Sequence, residues 1–283
     1  MMRKLTQVKI MNISEGKIMY KKTFALFILL SILITTIAFS KTTYTREFKK
    51  TITFESQGNI EVKTTNGKID VTSWNSNDVE IFAEIKVKAS SQREADRILE
   101  KVEIRIDRSN GRLIIEPEYP KRDDDDSFWD HIFDSDRKPT VNFTIQVPEQ
   151  TNLNLRSTNG HVAASDIEGE IILKTTNGGI EADHLKGSVD ANTTNGSVSI
   201  NITQFSRQDR VDLNTTNGSI KLYLPSEVKA EVKASTVNGS IQTDFPLTVQ
   251  GKISRKRLNG EINGGGGLIE LSTVNGSISI YER

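Results

Sequence analysis

The chain has no cysteine and only six prolines among 283 residues, and aromatic side chains make up 6% of it. Without cysteine there is neither a disulfide framework nor a thiolate metal site, so stability must come from packing. The same absence removes any lipobox, and with it a lipid-anchored lipoprotein. Net charge is also lacking, with 37 basic residues against 37 acidic ones. Only one long apolar run exists, Phe24 to Phe39, preceded by Lys21 and Lys22 and ending in Ala38-Phe39-Ser40. A basic start, an apolar middle and a small-residue exit predict a secretory signal peptide over residues 1–40, cut before Lys41. Sixteen apolar residues are few for a membrane span, so no stable anchor is expected after cleavage. The stretch before Met19 is foreign to a signal peptide, and Met19 is the expected translation start. Residues 1–40 hold six Lys/Arg and one Glu, leaving 31 basic against 36 acidic residues, a net of −5. That balance argues against a general nucleic-acid binder.

What is present in abundance is one motif. Asn-Gly, preceded by a Thr- or Ser-led pair, occurs at Asn66, Asn159, Asn177, Asn195, Asn217, Asn238 and Asn275, with a weaker copy at Asn259. From Asn159 onward the copies lie 18, 18, 22, 21, 21 and 16 residues apart, about 19 on average. A period near 20 with a fixed turn predicts stacked coils. Alone, Asn-Gly between alternating apolar residues would predict a hairpin. Repeated at a fixed period, it marks the same corner of successive coils, where both residues tolerate positive φ.

The columns support coils. Three residues after Asn stand Ile69, Val162, Ile180, Val198, Ile220, Ile241, Ile262 and Ile278. Four before it stand Val62, Leu155, Leu173, Ala191, Leu213, Ala234 and Leu271. Two before it, Thr64, Ser157, Thr175, Thr193, Thr215, Thr236 and Thr273 share that parity and should point inward, their hydroxyls bonded to backbone or to one another. The fold expected is an all-β, single-stranded β-solenoid resembling a parallel β-helix, with coils of about 19 residues. Residues 151–283 form its repeat region. Residues 41–150 form an N-terminal β region continuous with it. That region carries one helix over 92–101, signalled by the capping box Ser91-Gln92-Arg93-Glu94, and an acidic loop over 120–139. A tight turn is expected at Asn110-Gly111, and the last coil, Leu271 to Tyr281, should leave an open β-edge.

These repeats resemble the bacterial family of domains of unknown function called "putative adhesin". The likeness covers roughly residues 55–283. It rests on Asn66-Gly67-Lys68-Ile69-Asp70-Val71-Thr72-Ser73-Trp74, on the serial Thr-Thr-Asn-Gly-Ser-Ile units, and on the ending from Phe245-Pro246-Leu247 through Gly264–Gly267 to Ser277-Ile278. It implies an envelope-associated or exported β-solenoid and brings no catalytic residues.

No catalytic, cofactor-binding or metal site is expected. Asp123 to Asp126, Asp130, Asp134 and Asp136 lack the spacing of a calcium loop and read as a solvated loop. His131, His161 and His184 show no converging spacing for zinc. Gly264 to Gly267 lacks the Lys-Ser/Thr pair of a phosphate loop and reads as a tight bend. Arg255, Lys256 and Arg257 read as a basic loop. The expected role is an exported, non-catalytic surface for adhesion or interaction, its partner a protein or glycan at the cell envelope. One alternative is a periplasmic accessory or envelope-stress sensor binding a peptide or protein. The other is a polysaccharide-degrading β-helix, disfavoured because Asp166, Asp183, Asp190 and Asp212 share no repeat column.

Overall fold

The computed structural model describes residues 41–54, 57–119, 138–249 and 254–283. The expected signal peptide and the acidic run 120–137 of the loop, with His131, lie outside them. Among the described residues, no helix is long and apolar enough to cross a membrane. The chain opens with β1 (Thr42–Thr53), β2 (Asn59–Asn66), β3 (Ile69–Trp74) and β4 (Asp78–Ala89), followed by helix α1 (Gln92–Leu99). Then come β5 (Glu103–Ser109), β6 (Arg112–Glu118) and β7 (Thr140–Pro148). The repeats supply β8 (Asn152–Asn159), β9 (Val162–Ser165), β10 (Ile171–Lys174), β11 (Ile180–Lys186), β12 (Val189–Asn195) and β13 (Val198–Gln204). They continue as β14 (Arg210–Asn217), β15 (Ile220–Leu224), β16 (Ala230–Asn238) and β17 (Ile241–Thr243). After β18 (Leu247–Val249) and β19 (Arg257–Ile262) come β20 (Gly267–Asn275) and β21 (Ile278–Glu282).

Each coil is one strand running into an Asn-Gly corner and a second strand leaving it. The first strand joins an eleven-stranded sheet, ordered β18-β19-β16-β20-β14-β12-β10-β8-β2-β6-β5. The second joins a ten-stranded sheet, ordered β1-β4-β7-β3-β9-β11-β13-β15-β21-β17. Coil neighbours pair in parallel, and the ends carry antiparallel pairs such as β1 with β4 and β16 with β19. The β-solenoid expected from the repeats is therefore a flattened, two-sheeted one. Seven coils at about 4.8 Å each stack to roughly 34 Å.

The inner columns make the core. Ile69, Val162, Ile180, Val198, Ile220 and Ile278 are buried, as are Val62, Leu155, Leu173, Ala191, Leu213, Ala234 and Leu271. Burying each large aliphatic is worth about 1.5–3 kcal/mol, but only with a neighbouring coil in place to cover it.

The Thr column is buried too, and its hydroxyls follow one rule from Ser157 onward. Each donates to the corner glycine carbonyl of the adjacent coil: Ser157 to Gly67, Thr175 to Gly160, Thr193 to Gly178, Thr215 to Gly196, Thr273 to Gly218 and Thr236 to Gly276, at 2.8–3.0 Å. Thr215→Val keeps the shape and loses the hydroxyl. It should cost about 1–2 kcal/mol in denaturant unfolding, while Thr215→Ser should cost less.

The corners work differently from the sequence-based expectation. Among the repeat Asn-Gly pairs, only Gly67 has positive φ. Glycine is needed for space: a Cβ on Gly160, Gly178, Gly196, Gly218, Gly276 or Gly239 would sit 1.9–2.1 Å from the carbonyl oxygen of the neighbouring corner glycine. The asparagines stack outside that contact. Each donates its Nδ2 to the next Oδ1, along Asn238, Asn275, Asn217, Asn195, Asn177, Asn159 and Asn66, at 2.8–2.9 Å. Positive φ at both residues does occur at Asn110 (48°) and Gly111 (71°), where β5 and β6 form a true antiparallel hairpin.

The same ladder corrects the coil order. The last coil is not at the end of the stack: β20 lies between β14 and β16, and β21 between β15 and β17. No open edge is left at Leu271 to Tyr281. The weak copy at Asn259 is no corner either, because Leu258 to Ile262 run through β19, antiparallel to β16. The bend Gly264–Gly267 makes the rearrangement possible. Gly264 (φ 81°) and Gly265 (φ 77°) turn the chain across the start of β16, where the Gly267 N–H donates to the Lys229 carbonyl at 3.1 Å.

Helix α1 ends two residues before its expected limit, at Leu99. Its box is offset by one residue: Ser91 caps the Glu94 N–H at 3.3 Å, and Glu94 accepts from the Ser90 N–H at 2.9 Å, not from Ser91.

Glu61 is buried on β2 between Lys63, at 2.6 Å, and Arg112. Burial pushes its carboxyl up, but the hydrogen bonds and charges of Lys63 and Arg112 together outweigh it and hold the pKa below 4.5. A depressed folded pKa means stability fully present above 4.5 and lost as pH falls through the folded value. Glu61→Gln should flatten the acid side of a stability-versus-pH curve; an unchanged acid limb would refute that assignment.

Candidate functional site

Parallel strands in register place equal repeat positions side by side, so outward side chains form rows. Five residues before the corner Asn, Asp190 pairs with Asp212 and Asp212 with Glu270, and Lys233 follows. Two of the acids expected to share no column therefore do share one, and Glu270 joins them. The column is hidden when residues are counted forward from the preceding corner, because loops of varying length intervene. Counted backward from the next corner, Asp190, Asp212 and Glu270 coincide. Asp183 belongs to β11, in the other sheet, and Asp166 follows β9.

A second outward row, three before the corner, holds Lys174, Asn192, Asn214, Ser272 and Ser235. The two rows are cross-linked. Asn192 donates to Asp190, and Asn214 donates to Asp212 at 2.6 Å. Lys174 lies 3.0 Å from Asp190, while Arg210 bridges Asp212, at 3.3 Å, and Glu270. Two grooves open on this face. One of about 820 Å³ lies over β10, β12 and β14 and is walled by Phe205, Ser206 and Asp209. The other, about 610 Å³, lies over β14, β20, β16 and β19. Asp212 lines both. The wall is shaped locally by the Ser206 N–H, which donates to the Asp209 carboxylate at 2.6 Å.

The ten-stranded sheet carries a different cluster. Tyr223 and Tyr281, paired on β15 and β21, stack with centroids 4.9 Å apart, and Arg283 lies 5.1 Å over the Tyr223 ring. Asp183 accepts from Asn201, and this bond, with the nearby charges of His184 and Arg283, holds its carboxyl below the usual range. His184 sits 3.4 Å from both Asp166 and Asp183. Asp166 (φ 59°) and His184 (φ 52°) are both left-handed, and the strand register shifts between Ala182 and Leu185.

Of the residues weighed from sequence, His161 pairs with Glu181 at 3.8 Å, apart from His184. Arg257 lines the smaller groove, and the Lys256 ammonium donates to the Val237 carbonyl at 2.7 Å. The Asp-x-Asn pairs, Asp190/Asn192 and Asp212/Asn214, escaped the sequence reading. Their signal is plain in the two neighbouring stretches Val189-Asp190-Ala191-Asn192-Thr193-Thr194-Asn195-Gly196 and Val211-Asp212-Leu213-Asn214-Thr215-Thr216-Asn217-Gly218.

No curated protein matches this sequence. Solved structures similar to it include a "putative cell adhesion protein" from Clostridium sporogenes, 15% identical with a TM-score of 0.49, covering 84% of this chain and 100% of that one. A "putative adhesin" from Bacteroides fragilis is 12% identical with a TM-score of 0.39, covering 86% of this chain and 98% of its own. A "putative lipid binding protein" from Parabacteroides distasonis is 9% identical with a TM-score of 0.27, covering 84% and 97%. The family model described as Toastrack DUF4097 matches residues 35–281. The repeats, the two sheets and this match agree: the chain belongs to the Toastrack family of domains of unknown function.

Proposed function

We propose that the protein is exported and serves as a non-catalytic interaction surface at the bacterial cell envelope. The observation that carries this reading is the pair of outward rows on the eleven-stranded sheet, which run without a break in register from β12 through β14 and β20 to β16. A surface built this way presents the same kinds of side chain over several coils, so binding energy accumulates along a face. The basic, apolar and small-residue order of Lys21 to Ser40 supports export.

Proteolysis of intact cells tests the location. Loss of the chain from whole cells is the expected result and makes neighbouring cells or matrix the place to seek a ligand. Protection until the envelope is breached would replace adhesion by a periplasmic accessory role. Turnover of any polysaccharide, abolished by Asp212→Asn, would overturn the non-catalytic part of the reading.

A further inference from the structure

We propose that the trough formed by the two grooves that meet at Asp212 on the eleven-stranded sheet binds a neutral, linear oligosaccharide lying along the coil axis. The inference rests on the interaction-surface reading above and names its ligand class.

Three features of the trough point to this chemistry. The first is charge. Asp190, Asp212 and Glu270 already accept from Lys174, Arg210, Asn192 and Asn214, and the larger groove adds Glu168, Glu170 and Asp209 against Lys186, an acidic excess that disfavours a polyanion. The second is unspent hydrogen-bonding capacity. A carboxylate has about four acceptor positions, and an asparagine amide has two donors and an acceptor. Each Asp-x-Asn pair therefore retains adjacent donor and acceptor groups, which suit vicinal hydroxyls. The third is a mixed lining: Phe205 and Ile172 border the larger groove beside Asp190 and Asp212 and suit the C–H face of a sugar ring.

Geometry agrees with the chemistry. The Asp-x-Asn pairs recur at the strand spacing of about 4.8 Å, close to the length of one pyranose unit, so successive sugars would meet equivalent groups. The larger groove, at about 820 Å³, lies within the usual range for ligand sites, roughly 300–1,000 Å³. A peptide added as a β-strand does not fit here, since it needs a free edge, and β12, β14 and β20 are each paired on both sides. Recognition at this face must use side chains.

The test is calorimetric titration of the purified protein with cellohexaose, xylohexaose, mannohexaose and chitohexaose, with polygalacturonate as the anionic control. At least one neutral hexasaccharide should bind, more tightly than its trisaccharide and with little dependence on salt. An Asn192→Ala/Asn214→Ala double variant should bind roughly tenfold more weakly, from two lost hydrogen bonds to the sugar, while keeping the circular-dichroism spectrum of the unaltered protein. Should that variant fail to fold, the side-chain amide resonances of Asn192 and Asn214 in the unaltered protein must shift on titration. Binding of polygalacturonate alone, no binding of any neutral sugar, or unmoved amide resonances would overturn the proposal. Labelled protein that still binds isolated envelopes while ignoring every sugar would sink the glycan assignment alone. Loss of both would remove the interaction-surface reading as well.

Discussion

Gly196→Ala should unfold the protein or cost at least about 4 kcal/mol, although alanine is ordinarily a mild replacement in such a site. The new methyl would sit 2.0 Å from the Gly178 carbonyl oxygen, which is backbone and cannot swing aside. Relief would require these two coils to separate, stretching the Asn195–Asn177 bond and the bond from Thr193 to Gly178. Gly111 and Gly264 are the internal controls. Both have positive φ, and a Cβ at either meets nothing within 4 Å. Alanine there pays only left-handed strain, about 1–2 kcal/mol. Thermal unfolding of the three variants decides the matter: equal losses would show that the corner glycines serve conformation and not clearance.

Ending the chain after Gly266 should release far more than the coil it removes. Among the described residues, β16 pairs only with β20 and β19, and β17 only with β21. Without β20 and β21, the strands from β16 to β19 have no sheet partner in the rest of the stack, while β14 and β15 become new edges. Limited proteolysis should then cut throughout residues 226–266 and leave the coils up to Leu224 protected. Protection of β16 would mean that its coil docks directly on β14, with Asn238 taking the place of Asn275 in the ladder. That result would make the last coil an interchangeable insert and would sink the expectation.

Much of the fold was legible because the solenoid repeats its physics. Ile or Val three after each corner, an aliphatic four before it and a hydroxyl two before it declare both the inner face and its parity. All three columns behave as their spacing predicts, apart from Ile241, half-buried in the short strand β17, and Ile262, carried by the antiparallel β19. The hairpin at Asn110-Gly111 was equally readable, since alternation there runs out and back within a few residues.

Coil order was not legible, and the reason is the same uniformity. Every Thr-Thr-Asn-Gly coil offers its neighbour the same amide, the same carbonyl and the same aliphatics, so the motif cannot say which coil stacks on which. The glycine bend 264–267 decides it, by letting the chain step over the start of β16. The motif at Asn259 misled for a related reason: in β19 the glycine faces Thr248, where a Cβ would sit 3.0 Å from a backbone oxygen of an antiparallel neighbour. The Asp-x-Asn rows were present in the sequence but invisible to a count that began at the wrong corner.

The interleaved last coil also bears on how the molecule is made. Coils up to Leu224 can stack as they emerge, each upon the last, in the manner of any solenoid. The next one cannot take its place beside β14 and β15, because β20 and β21, made later, occupy it. A synthesis that stops early leaves β14 uncovered and a loose tail of apolar strands, a form that proteases and chaperones recognise readily. The stack closes only once β20 and β21 have been made, so these two strands act as a latch on the coil that precedes them.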